Sequence, residues 1–156
     1  MKKTVFVLAV VIGASFTACN NAKDNTDRAA VSPQAKADSL EKQVEEGHNI
    51  AMPKSMKIPK LQKETQRLID SIGKLPAKAQ VAAAPYKAKL EQLQKDLGSA
   101  YTSMEKWMNE FDFDSARDNL EQRIKYLTDE KLRVDKVKEA VLGTLKKADT
   151  LLKAKF

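Results

Sequence analysis

Eight residues between Tyr86 and Phe111 constrain this chain more than any others. Tyr86, Leu90, Leu93, Leu97, Ala100, Met104, Trp107 and Phe111 follow one another in steps of 4, 3, 4, 3, 4, 3 and 4. On an α-helix that alternation keeps all eight on one face, as a coiled-coil seam does. A strand would scatter them over both faces. A helix of this length with one apolar stripe has to bury the stripe against other helices. The surrounding composition agrees, since Ala, Leu, Lys, Glu and Gln dominate after residue 36 and lose little rotamer freedom in a helix. No segment alternates apolar and polar residues over the length of a strand. The expected fold class is therefore all-α.

Two further helices are expected around this middle one. The third runs from about Ser115 to Lys153, capped by Asp114 or Ser115, with a seam through Leu120, Ile124, Leu127, Val134, Val137, Val141, Leu145, Ala148 and Leu152. That seam weakens around Asp129-Glu130-Lys131. The first begins near Ala35 and carries Leu40, Val44, His48 and Ala51, then Ile58, Leu61, Leu68, Ile72 and Leu75. Pro53 and Pro59 should kink or break it, because each removes a helical hydrogen bond and collides with the preceding turn. Residues 73–84 read as the connection to the middle helix, with Pro85 in that helix's first turn. Short connections between long amphipathic helices make neighbours antiparallel, so the expected architecture is a three-helix bundle, or helical hairpin, with a coiled-coil-like seam. Periodicity leaves open whether the third helix packs back fully or extends as an arm, and whether the chain forms an oligomer.

The N-terminus has a different character. Lys2 and Lys3 precede an unbroken apolar run from Val5 to Ile12, and mostly small residues then lead to Cys19, the single cysteine. This is the layout of a secretory signal peptide, with an apolar core shorter than the roughly 20 residues of a membrane span. Phe16-Thr17-Ala18-Cys19 resembles the lipobox of bacterial lipoproteins, with Phe in place of the commoner Leu. That resemblance implies cleavage before Cys19 and a covalent lipid on its sulfur, the thiolate being the nucleophile that accepts the diacylglyceryl group. Buried CH₂ groups contribute about 0.8 kcal/mol each, so two or three acyl chains such as palmitate anchor a protein durably where one does not. The expected organisation is a signal peptide at 1–18, a lipidated Cys19 with a polar tether to residue 36, and a helical domain at 37–156. Asn20 stands where aspartate marks retention at the inner membrane in many such proteins, which points to the outer membrane. The face of that membrane stays open.

Removal of residues 1–18 takes Lys2 and Lys3 with it, leaving 26 Lys and Arg against 21 acids, a net charge of +5. Nucleic acid is not an expected partner, since an exported chain rarely meets it and no basic block interleaved with aromatics is present. The expected partners are the membrane, through the anchor, and an envelope protein or anionic polymer.

One constellation could be chemical. His48, the single histidine, Met52 and Met56 are spaced i, i+4, i+8. A connection centred near residue 78.5 makes antiparallel partners sum to about 157, which sets them opposite Met104, Trp107 and Met108. Imidazole, thioethers and indole together suit Cu(I) or Ag(I). Methionine also fills irregular cores well, and packing beside Pro53 is the preferred reading of the cluster. No resident metal and no other cofactor is expected. His48-x-x-x-Met52-Pro53-Lys54 and Trp107-Met108-x-x-Phe111 resemble a group of small helical lipoproteins of Bacteroidetes-type bacteria, some labelled "viral A-type inclusion protein". The likeness spans about residues 36–154 in layout. In that group acidic residues often follow the histidine, where Asn49, Ile50 and Ala51 stand here. It implies a helical envelope lipoprotein and supplies no activity. Enzyme readings find no glycine-rich phosphate loop, no His/carboxylate metal spacing and no Gly-x-Ser-x-Gly, and one histidine leaves few routes to acid–base chemistry. A non-enzymatic binding or scaffolding module is expected, with a periplasmic soft-metal carrier as the alternative.

Overall fold

The structure, a computed structural model, describes residues 32–153. The expected signal peptide, Cys19 and most of the expected tether lie outside the described residues. Four helices account for nearly all of the rest: α1 Pro33–Ser55, α2 Ile58–Gly73, α3 Ala77–Glu110 and α4 Leu120–Lys153. There is no strand among the described residues, and no helix among them is long and apolar enough to cross a membrane.

α1 and α2 are the two halves of one kinked helix, so the architecture is the expected three-helix bundle. α1 starts at Pro33, in the first turn where a missing N–H is harmless, and Ser32 caps it by accepting from Ala35 N at 3.2 Å. The break falls at Met56-Lys57, just ahead of Pro59, which occupies the first turn of α2. Pro53 is carried inside the last turns of α1 without ending it.

The connection to α3 is only Lys74 to Pro76, shorter than the segment 73–84 expected from sequence. Pro85 consequently lies inside α3 rather than in its first turn. Alanines at 77, 79 and 82–84 extend the helix ahead of the proline, and Gln80 Nε2 donates to the carbonyls of Gly73 (3.0 Å) and Leu75 (2.7 Å), satisfying acceptors that the end of α2 leaves open. At the other end, α4 begins five residues later than expected. Asn119 rather than Asp114 or Ser115 caps it, its Oδ1 accepting from Gln122 N at 3.0 Å. Asp112 instead uses Oδ1 to accept from Asp114 N at 2.9 Å, closing a turn in which Ala116 takes a left-handed φ of 57°.

The α3 seam is as expected, with Leu90, Leu93, Leu97, Ala100, Met104 and Trp107 buried and Tyr86 and Phe111 half-buried at its ends. α4 follows an equally regular seam that keeps Leu127, Val134, Val137, Val141 and Ala148 of the expected one and adds Arg123, Glu130 and Thr144. Arg123, Leu127, Glu130, Val134, Val137, Val141, Thr144 and Ala148 are buried in steps of 4, 3, 4, 3, 4, 3 and 4. Three of its eight positions are polar, while Ile124, Leu145 and Leu152 flank the core half-buried. α1 packs chiefly on α4 and α2 on α3. Small residues allow the α1–α4 approach, because α1 buries Ala37, Gly47, Ala51 and Ser55 beside Val44. A Cβ at Gly47 would stand 2.8 Å from Val134 Cγ1. Leu75, expected in the first seam, is 41% exposed because the helix ends before it at Gly73.

Candidate functional site

Three residues of the expected cluster, His48, Trp107 and Met108, meet between α1 and α3. Glu45, His48 and Asn49 occupy adjoining rows of α1, and Trp107, Met108 and Phe111 share one stretch of α3. Together they line an open cleft of about 500 Å³. His48 lies against Trp107, with ring centroids 5.8 Å apart and planes tilted by 36°. Its Nδ1 is 3.1 Å from Asn49 Oδ1, a contact satisfied by the tautomer protonated at Nδ1. Nε2 is then the nitrogen with an open lone pair.

Trp107 is the fixed centre of the site. It is 4% exposed and stacks on Phe111 at 5.1 Å, and Phe111 stacks in turn on Tyr126 at 6.1 Å. Tyr126 OH accepts from Asp112 N at 2.7 Å, so the aromatic row ties the start of the α3–α4 connection to α4. Burial raises the pKa of the Tyr126 hydroxyl, and the bond from Asp112 N opposes that rise. The indole N–H donates to Glu130 Oε2 at 2.9 Å, and Arg133 Nη1 donates to Glu130 Oε1 at 2.7 Å. Arg133 also pairs with Glu110, and its pKa is raised first by the bond to Glu130. Glu130 is 3% exposed, and such a carboxylate is tolerated in a core only when both oxygens are bonded. The effect is to hold the Trp107 ring in one orientation at the floor of the cleft.

Not every candidate joins it. His48, Trp107 and Met108 share the cleft, whereas Met104 is 1% exposed in the core beneath. Met52 is half-buried, its Sδ accepting from Ser55 Oγ at 3.7 Å. Met56, expected on the same face, is 69% exposed, because it falls in the turn at the kink where the helical row stops. Among the described residues no group of three or more His, Cys, Asp or Glu side chains is placed to hold a metal ion. The cleft itself offers one imidazole and one thioether. Sequence reasoning missed Glu45 and Asn49 on the cleft wall and Glu130 behind Trp107. For Glu130 a signal existed, since an acid three residues after Leu127 and four before Val134 stands at a seam position.

Charge is divided between the two ends of the bundle. Around the α1–α2 kink and the α2–α3 turn, the stretch from Lys54 to Lys78 holds seven Lys and Arg against two acids. Around the α3–α4 connection, Glu110 to Glu121 holds five acids against Arg117 alone. Comparison of the chain with protein-family models, with curated proteins and with solved structures finds no match.

Proposed function

We propose that the chain is an outer-membrane lipoprotein whose helical domain acts as a non-enzymatic binding or scaffolding module of the bacterial envelope. The observation that carries this reading is Phe16-Thr17-Ala18-Cys19 at the end of a signal-like apolar run, with the sole cysteine at the position the lipid chemistry requires. The helical domain supports it in two ways. A buried hydrogen-bonded network holds Trp107 at the floor of a half-open cleft, which is the construction of a binding face. The stretch from Lys54 to Lys78, with seven Lys and Arg against two acids, offers a cationic surface suited to anionic envelope material. Clickable palmitate fed to cells tests the anchor. Wild type should incorporate label and fractionate with membranes, whereas Cys19→Ser should be unlabelled and lost from them. Equal partitioning of the two proteins would refute the assignment.

A soft-metal carrier is the second reading, favoured by the imidazole of His48 lying 5.8 Å from Trp107 with Met108 in the same cleft. It ranks below packing and partner binding because Met104 is enclosed in the core and Met56 lies outside the cleft.

A further inference from the structure

The cleft between α1 and α3 has a polar wall made of Glu45, His48 and Asn49 and an apolar wall made of Met108, Phe111 and Trp107, and no Lys or Arg lines it. Glu41, one turn earlier on α1, is bonded to Arg123 at 3.0 Å, whereas Glu45 has no ion-pair partner among the described residues. His48 Nδ1 is engaged with Asn49 Oδ1, which leaves Nε2 as a second acceptor beside the carboxylate. The indole N–H of Trp107 is turned away, to Glu130 Oε2 at 2.9 Å. Because α1 and α3 run antiparallel, the His48–Trp107 contact sets Glu45 about level with Phe111 across the cleft. A carboxylate and an imidazole lone pair thus stand one turn apart, opposite a wall of aromatic and thioether groups. Acceptors with no cation among them call for a ligand that is cationic, rich in N–H donors and partly apolar.

We infer that this cleft takes the side chain of an arginine presented by a partner protein, with the guanidinium on Glu45 and His48 Nε2 and the methylene stem along Met108 and Phe111. The inference rests on the binding-module reading and names the group the module reads. Arginine fits because its planar fork pairs a carboxylate bidentately, keeps a further N–H for a neighbouring acceptor and carries a stem that covers apolar surface. The ammonium of lysine is a more strongly hydrated point charge without that fork. Phosphate and carboxylate ligands would meet only the negative charge of Glu45. A free arginine would bring its own α-carboxylate, for which the cleft has no cation, so the fitting source is an arginine within a peptide chain. Arginines seated in pockets with an aromatic wall are frequent anchors of protein interfaces.

Trp107 is the only tryptophan in the chain, so its emission reports on the cleft directly. The full processed protein in nanodiscs of neutral lipid is titrated with the peptide acetyl-Ala-Ala-Arg-Ala-Ala-amide and with versions carrying citrulline, lysine or norleucine in place of arginine. The arginine peptide should change Trp107 emission saturably, with a Kd on the order of 1 mM for a lone side chain. Citrulline keeps the shape and loses the charge, and should bind roughly tenfold more weakly or worse, as should norleucine, with lysine between. Glu45→Gln should lose roughly tenfold, the scale of one charge-assisted contact, and Glu45→Asp should lose less. Glu46→Gln is the control for general acidity, since Glu46 lies on the α4 side of α1 with Lys131 and Asp135, and should bind as wild type. Both glutamates are exposed, so circular dichroism should show unchanged helicity in these variants. A photo-leucine beside the arginine should crosslink to peptides covering residues 44–49 and 107–111. The inference is overturned by the absence of a saturable change, by citrulline or norleucine binding as tightly as arginine, or by crosslinks spread along the chain. Equal weakening by Glu46→Gln and Glu45→Gln overturns it as well. The palmitate experiment at Cys19 decides the anchor separately, so a cleft that ignores arginine on a lipid-labelled protein removes this assignment alone.

Discussion

Gly47→Ala should destabilise this protein, although alanine is the better helix former. In an exposed helix interior the change would stabilise by about 1 kcal/mol, since glycine loses more backbone entropy on folding. At Gly47 the new Cβ would stand 2.8 Å from Val134 Cγ1 and 3.3 Å from Cγ2. Val134 is fully buried, and a β-branched side chain in a helix has essentially one χ1 rotamer, so it cannot swing aside. α1 or α4 must therefore shift, and overpacking of this kind costs about 1–3 kcal/mol. The net effect is a loss of up to about 2 kcal/mol. Gly143→Ala is the control, because nothing lies within 4 Å of its Cβ, and it should gain roughly 0.5–1 kcal/mol. Urea melts of the two variants should thus fall on opposite sides of wild type. In the double variant with Val134→Ala the clash partner is gone, so the Gly47→Ala penalty should shrink or reverse. If Gly47→Ala stabilises as much as Gly143→Ala, the close α1–α4 packing described above is wrong.

Trp107→Ala should cost about 3–5 kcal/mol, as large aromatic truncations in cores do, and a loss below about 1 kcal/mol in denaturant melts would remove it from the core. Glu130→Ala leaves the indole N–H of Trp107 buried without its acceptor, and should cost about 1–3 kcal/mol with a shifted Trp107 emission. Asp135 is held below the ordinary carboxylate range by Lys131 and then Lys138, and Asp96 by Lys147 and then Gln92. Their contribution is complete above the unfolded value near pH 4 and is lost as pH falls through the lower folded values. Stability measured below about pH 4 should therefore fall less steeply in Asp135→Asn than in wild type. Anaerobic Ag(I) should leave the melting temperature and Trp107 fluorescence nearly unchanged. A site filled at 100 times its Kd would instead stabilise by about 2.7 kcal/mol, and a one-to-one quench removed by His48→Ala would promote the metal reading.

Apolar spacing carried the fold only where apolar residues occupy the buried positions. α3 was legible for that reason, because every buried seam residue from Leu90 to Trp107 is apolar. In α4 Leu127, Val134, Val137, Val141 and Ala148 were legible, whereas Arg123, Glu130 and Thr144 hold seam positions that hydropathy assigns to the surface. In α1 the buried surface is made by Ala37, Gly47, Ala51 and Ser55, whose small size rather than hydrophobicity sets the fit. The meeting of His48 with Trp107 was foreseen from antiparallel counting. The partners of Glu130 could not be foreseen, since a rotamer and a register both had to be known.

The anchor is the central claim, and intact-mass spectrometry of the protein extracted from bacterial membranes tests it most directly. The account predicts a chain that begins at Cys19, lacks residues 1–18 and carries the added mass of two or three acyl chains, all localised by fragmentation to that first residue. A chain that still begins at Met1, or one whose Cys19 carries no lipid, would contradict it.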